Sequence, residues 1–180
     1  MKTYLLLIPA LFISTIVESQ NKKNTLTGTL FFEASVPSFE EVKATNKAVK
    51  SSLNCKTGEL LCEIEIKKFK FRLPLMQEHF NINYLESNRY PKARFRGKII
   101  GFDWFAIGVI SKEFIVTGKL EIHGVTRTVS TVIKINKVNT DIEIKSNFRI
   151  KTSDYRIAIP KIIQSKISEI VKIELDLLLK

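Results

Sequence analysis

Leu73-Pro-Leu-Met-Gln-Glu-His-Phe-Asn-Ile-Asn-Tyr-Leu-Glu-Ser-Asn-Arg-Tyr-Pro-Lys-Ala-Arg-Phe-Arg-Gly97 reads as one short helix set between two β-strands. Pro74 suits a first helical turn, where its missing N–H costs nothing. Pro91 drives the residue before it out of the helical region. Between them Met76, Phe80 and Tyr84 recur at i, i+4, so residues 75–87 are expected to form an amphipathic helix. On both sides the period changes to two. Phe69, Phe71 and Leu73 alternate with Lys68, Lys70 and Arg72, and Ala93, Phe95 and Ile99 with Arg94, Arg96 and Lys98. That alternation belongs to strands with one buried face. A chain of strands that spends a helix here has something to cover, and the expected task is to close one end of an apolar cavity.

The same alternation runs outward in both directions. Leu26, Leu30, Phe32 and Ala34 share a face with Gly28; Leu60, Cys62, Ile64 and Ile66 oppose Glu59, Glu63, Glu65 and Lys67. Parity then flips before Phe69, which predicts a β-bulge near Lys67 and Lys68. Phe114, Val116, Leu120 and Ile122 form a further set, as do Val129, Ile133 and Ile135; Ile142, Ile144, Phe148 and Ile150; and Val171, Ile173, Leu175, Leu177 and Leu179. With a strand around residues 47–55 the count reaches eight, and residues 102–107 either lengthen one strand or form a ninth. His123-Gly124 marks a tight turn. Pro160, Ile163 and Ile167 predict a second short helix over residues 160–168. Eight short antiparallel strands make a sandwich or a closed barrel, and a barrel of about eight strands can hold one small ligand. Phe32 with Gly28, Phe95 with Gly97 and Leu120 with Gly118 put large beside small on the inward faces, a pattern that suits a hollow and a filled taper alike.

Lys2, an apolar run over residues 4–17 and the following Ser19 and Gln20 read as a secretory signal peptide, residues 1–19. About 14 apolar residues are too few to cross a bilayer comfortably. Residues 20–180 suit one domain with a sizeable core. The exported product is expected in the periplasm or outside the cell. Its formal charge of +11 then points to solubility, an anionic membrane surface or acidic ligands rather than nucleic acid. An exported chain can keep a disulfide, but across a two-residue Thr57-Gly58 loop the Cβ atoms of Cys55 and Cys62 would lie about 7 Å apart. A disulfide wants about 4 Å, so buried thiols fit better.

The helix with Tyr90-Pro91 and Phe95-Arg-Gly97, together with Gly118-Lys-Leu-Glu-Ile-His-Gly-Val-Thr126, resembles the YceI-like family of exported isoprenoid- and lipid-binding proteins. Asp154-Tyr-Arg-Ile157, Ile159-Pro160, Lys166-Ile167 and Val171-Lys-Ile173 extend the likeness, so that it runs from Gly28 to Leu179. The resemblance implies an all-β, lipocalin-like barrel of eight antiparallel strands with one or two short helices. It implies an elongated cavity for a polyisoprenoid or other acyl chain, and no catalytic set. Arg156 departs from the glycine often found after Asp-Tyr in the family, which puts the bend there in question.

Holding a long apolar chain needs an apolar tunnel and one polar patch at most. Phe32, Phe71, Met76, Phe80, Phe95, Leu120, Ile122, Phe148 and Ile173 are the candidate wall residues. Met76 and Phe80 lead because they sit on the helix. The expected partner is a long-chain isoprenoid or acyl lipid, bound without catalysis, for transport or storage. No cofactor is implied; His79 and His123 have no thiol or carboxylate at ligand spacing, so no metal site is expected. A dimer is compatible with the sequence. Two alternatives stand beside this reading: a lipid-acting hydrolase using Ser153, Asp154 and a histidine, and a structural module whose basic outer face binds anionic membranes. Arg94, Arg96 and Lys98, with Lys68, Lys70 and Arg72, are expected on that outer face. There they attract lipid head groups or simply stay solvated and discourage edge pairing.

Overall fold

In the computed structural model, which describes residues 21–180, the alternating runs become nine strands. They are β1 (Lys22–Ser35), β2 (Lys43–Asn54), β3 (Glu59–Glu65), β4 (Lys70–Phe71), β5 (Lys92–Ile99), β6 (Lys112–Ile122), β7 (Val125–Val138), β8 (Asp141–Lys151) and β9 (Ile167–Leu179). The signal-peptide reading lies outside the described residues. Eight long strands run β1-β9-β8-β7-β6-β5-β3-β2 in space, and β2 pairs back to β1. Every pairing is antiparallel. The sheet therefore closes into a barrel, as expected, and β4 is a two-residue addition beside Ala44 and Thr45 of β2.

The helix forms in the expected place. Helix α1 (Pro74–His79) has proline in its first turn and continues through a π-turn, Phe80–Tyr84, closed by the Leu85 N–H donating to the Phe80 carbonyl. It lies across one end of the barrel. Phe80 holds it there: its ring meets those of Phe32, Phe71 and Phe69 at centroid distances of 5.5, 5.0 and 5.5 Å.

Four local expectations need correction. The parity flip after Ile66 is made by a 3-10 turn, Ile66–Lys68, not by a bulge; it buries both Ile66 and Phe69. The stretch 160–168 is no helix but a single 3-10 turn, Lys161–Ile163, after which Ile167 already begins β9. Residues 102–107 add no strand. They form a loop around the turn Trp104–Ala106, with Asp103 accepting from the Phe105 N–H, and Ile107 is tucked into the barrel. Leu26 is 69% exposed, because register shifts on either side of Gly28 turn Thr25 and Gly28 inward in its place.

The two ends of the barrel differ. At the end sealed by residues 100–111, Val49, Leu53, Ile135, Ile142, Ile144, Leu177 and Leu179 are fully buried against one another. Toward the helical end, inward residues such as Phe95, Ile122, Val129, Phe148, Val171 and Leu175 stay only partly buried, although their parity matches that of the sealed half. They face a space the chain does not fill.

The pieces of sequence that carried the family likeness meet at one corner of this open end. His123 and Gly124 have φ of 51° and 71°, the pair of positive values a two-residue hairpin loop requires. A side chain at Gly124 would start 2.6 Å from the Tyr90 ring. The His123 ring lies edge-on to Tyr90 at 4.6 Å, with Nε2 2.7 Å from Glu86 Oε2 and Nδ1 3.3 Å from the Tyr155 carbonyl. The exit of the helix, the β6–β7 turn and the turn Thr152–Tyr155 are thus tied through one imidazole. Arg156 follows with φ 56° and ψ 30°, a left-handed conformation that crowds any Cβ against the following carbonyl oxygen. Restoring glycine there (Arg156→Gly) is expected to raise the unfolding free energy by about 0.5–1 kcal/mol, read as a rightward shift of the urea midpoint. A leftward shift would mean that the arginine side chain contributes more than its backbone costs.

Candidate ligand-binding cavity

The space under the helix is a cavity of about 400 Å³. Its wall is built by strand alternation: each strand that reaches the open end contributes its inward residues. The structure puts all nine residues singled out from the sequence on this wall: Phe32, Phe71, Met76, Phe80, Phe95, Leu120, Ile122, Phe148 and Ile173. Met76 and Phe80 reach it from the helix, and Phe71 from β4. Sequence reasoning missed several others. Ile157, Ile159 and Ile163 come from the connection between β8 and β9, whose irregular backbone carries no period to read. The helical spacing of Ile163 and Ile167 has a different origin from the one expected: both point into the cavity, one from a turn and one from a strand.

Few polar groups interrupt the wall. Ser146 is buried and donates to the Val132 carbonyl at 2.8 Å. Ser168 donates to the Ile170 carbonyl. His79, the only histidine on the wall, makes no hydrogen bond to a serine or carboxylate among the described residues. His123 is engaged in the corner described above and does not line the cavity. Among the described residues no three metal-binding side chains converge.

Cys62 lines the cavity and Cys55 sits outside it; both are free thiols. Leu53 pairs with Leu60, so the connection is longer than two residues and Cys55 falls beyond the ladder. Burial pushes the Cys62 thiol up to about 11, opposed only in part by the Ser51 hydroxyl at 3.4 Å. Thiolate is the reactive form. In the Cys55→Ser protein, Cys62 is therefore expected to resist a thiol reagent at pH 8 and to react fully once urea unfolds the chain. Equal rates in both states would contradict the burial.

The three outer arginines are each paired with a carboxylate. Arg94 pairs with Glu63 and Glu121, Arg96 with Glu59, and Arg72 with Glu40. These are cross-strand or loop pairs on the solvent face, and none of the three arginines borders the cavity.

A family model described as the YceI-like domain matches residues 16–179. Among curated proteins none matches the chain in sequence. Among solved structures, a polyisoprenoid binding domain from Saccharophagus degradans is 16% identical, covers 89% of this chain and 98% of its own, and superimposes with a TM-score of 0.76. BcnA from Burkholderia cenocepacia is 17% identical over 84% of this chain and 96% of its own, with a TM-score of 0.67. A YCEI protein from Campylobacter jejuni is 17% identical over 100% and 99%, with a TM-score of 0.58. At these identities the likeness is one of fold.

Proposed function

We propose, from the premise that the chain belongs to the YceI-like domain family, that its cavity binds a long-chain isoprenoid or other lipid without acting on it. The observation that carries this reading is the difference between the two halves of the barrel. One half is packed solid; the other leaves the same kind of inward residues facing about 400 Å³ of apolar space beneath a helix. Burying hydrocarbon is worth roughly 0.8 kcal/mol per CH₂, so about ten carbons offer on the order of 8 kcal/mol before ordering costs. Micromolar binding corresponds to about 8 kcal/mol net, so a chain longer than ten carbons covers the ordering costs with no reactive group. The Saccharophagus degradans domain of similar fold, described as polyisoprenoid binding, supports an isoprenoid as the first ligand to try.

A binding role fits the wall better than a hydrolytic one, because among the described residues His79 makes no hydrogen bond to a nucleophile or to an orienting carboxylate. The apolar amino-terminal stretch supports export, and an exported lipid binder would carry or store its ligand in the periplasm or outside the cell. The test is a titration with all-trans-retinol, an isoprenoid whose fluorescence rises in an apolar site. Saturable enhancement, with no turnover of acyl esters by the same sample, is expected. Ester hydrolysis lost in His79→Ala would overturn the non-catalytic reading.

A further inference from the structure

The barrel wall is not sealed all the way up. The β7–β8 ladder runs from Val138 opposite Asp141 to Ile133 opposite Ser146 and stops there. The pairs that would continue it, from Val132 opposite Asn147 to Thr128 opposite Lys151, are absent, although both strands extend past that point. On their other edges these same residues stay paired: β7 with β6 up to Val125, and β8 with β9 up to Lys151. The result is a window between two adjacent strands. Its sill is the Ser146 hydroxyl donating to the Val132 carbonyl, and its lintel is the Arg127 Nε donating to the Asp154 carbonyl at 3.0 Å.

Two further observations show that the window communicates with the cavity. Ser130 and Arg149 are exposed and by parity point outward, yet both line the cavity. Residues of opposite parity share one space only where the wall between them is open. A shallow outer depression over β1, β7, β8 and β9 also reaches Ser146 and Leu175, which face the cavity from inside. Arg149 stands apart from the other arginines discussed above. Among the described residues it makes no ion pair, and it is the only arginine on a wall that carries no lysine, aspartate or glutamate. An unpaired guanidinium at the rim of an apolar tunnel suits an anion that cannot follow its hydrocarbon inside.

We propose that this seam is the mouth of the cavity, and that Arg149 on its rim holds the anionic head group of an amphiphile whose chain lies within. The inference rests on the lipid-binding reading and adds the route and the head-group class. The ligand is a carboxylate- or phosphate-bearing chain, entering sideways between strands rather than under the helix.

Two arms test it. Thr128→Cys with Lys151→Cys, in a Cys55→Ser background, places thiols where the ladder would continue; bridging them by oxidation, or by dibromobimane if the sulfurs do not meet, closes the seam. The bridged protein is expected to take up and release retinol at least tenfold more slowly than its open form. Arg96→Cys with Lys119→Cys, bridged across the already paired β5–β6 seam, should change nothing. Equal rates for the open and bridged β7–β8 seam would overturn the route. In the second arm Arg149→Gln is compared on retinol and on retinoate, which differ only in the head. Retinoate, measured by displacement of retinol, should weaken about tenfold while retinol changes less than twofold. Equal effects on both, or on neither, would overturn the head-group role, and so would displacement of retinoate by inorganic phosphate alone. If the unmodified protein takes up neither probe, the lipid reading itself fails, an outcome distinct from normal uptake through a bridged seam.

Discussion

Gly118→Ala is expected to cost about 3 kcal/mol of unfolding free energy and, for a chain of this size, to lower the melting temperature by about 10 °C. Gly97 and Gly118 face each other across β5 and β6. A Cβ at 118 would lie 2.4 Å from both the Arg96 carbonyl oxygen and the Gly97 Cα. These are backbone atoms of the neighbouring strand, so no change of rotamer relieves the clash; the two strands must separate. The missing side chain at 97 has its own use, since a Cβ there would start 2.4 Å from the Phe95 ring tip. Phe95 folds back over the gap and thereby reaches the cavity wall. The comparison is Gly108→Ala, where an added Cβ meets nothing within 4 Å and the backbone needs no positive φ. That variant should unfold like the parent. Matching urea curves for the two variants would show that the strands do not approach as closely as described.

The second large effect concerns binding, with the fold left intact. Ile122 ends β6 on the cavity wall and is only partly buried, because it faces the hollow half. Ile122→Trp directs its added bulk into that space. Displacing about four chain carbons at roughly 0.8 kcal/mol each removes on the order of 3 kcal/mol. That corresponds to a loss of retinol affinity of about a hundredfold or more. Because the ring fills space rather than overpacking a solid core, stability should change by less than about 1 kcal/mol. A variant that still binds as the parent does would place the ligand elsewhere. A variant that unfolds would show that the hollow half tolerates no extra volume.

The architecture was legible because its signals are local. A period of two along every strand, interrupted by Met76, Phe80 and Tyr84 at helical spacing, specifies an antiparallel all-β chain with a covering helix, and the family likeness then chose a closed barrel over a sandwich. The wall residues contributed by the strands, such as Phe32, Phe95, Leu120 and Phe148, follow from parity. What parity could not supply is how a flip is made. A bulge and the 3-10 turn Ile66–Lys68 both invert the face, and the sequence of apolar positions is the same for either. Leu26 failed for a related reason: shifts around Gly28 reverse the inward set within a single strand. Apolar spacing misled at Ile163 and Ile167, where a shared destination imitated a helix.

The mouth was beyond reach for a deeper reason. Strand pairing is a tertiary fact, and nothing in Val125–Val138 or Asp141–Lys151 announces that their ladder stops halfway. By alternation Arg149 is one more solvent-facing charge, like Arg94 or Arg96. Only the broken ladder brings it to the cavity. The conspicuous Arg94 and Arg96 of β5 proved to be paired with carboxylates across the sheet, while the arginine without an ion pair drew no notice in the sequence. The corner built on His123 was visible as a motif but not as a contact, since Glu86, Tyr90 and Tyr155 converge only in three dimensions.

Native mass spectrometry of the full chain purified from cells that produce it tests the central claim most directly. A non-covalent mass increment of a long-chain lipid is expected, released by organic solvent and lost in Ile122→Trp. A spectrum of bare polypeptide, from protein that also fails to take up retinol, would contradict it.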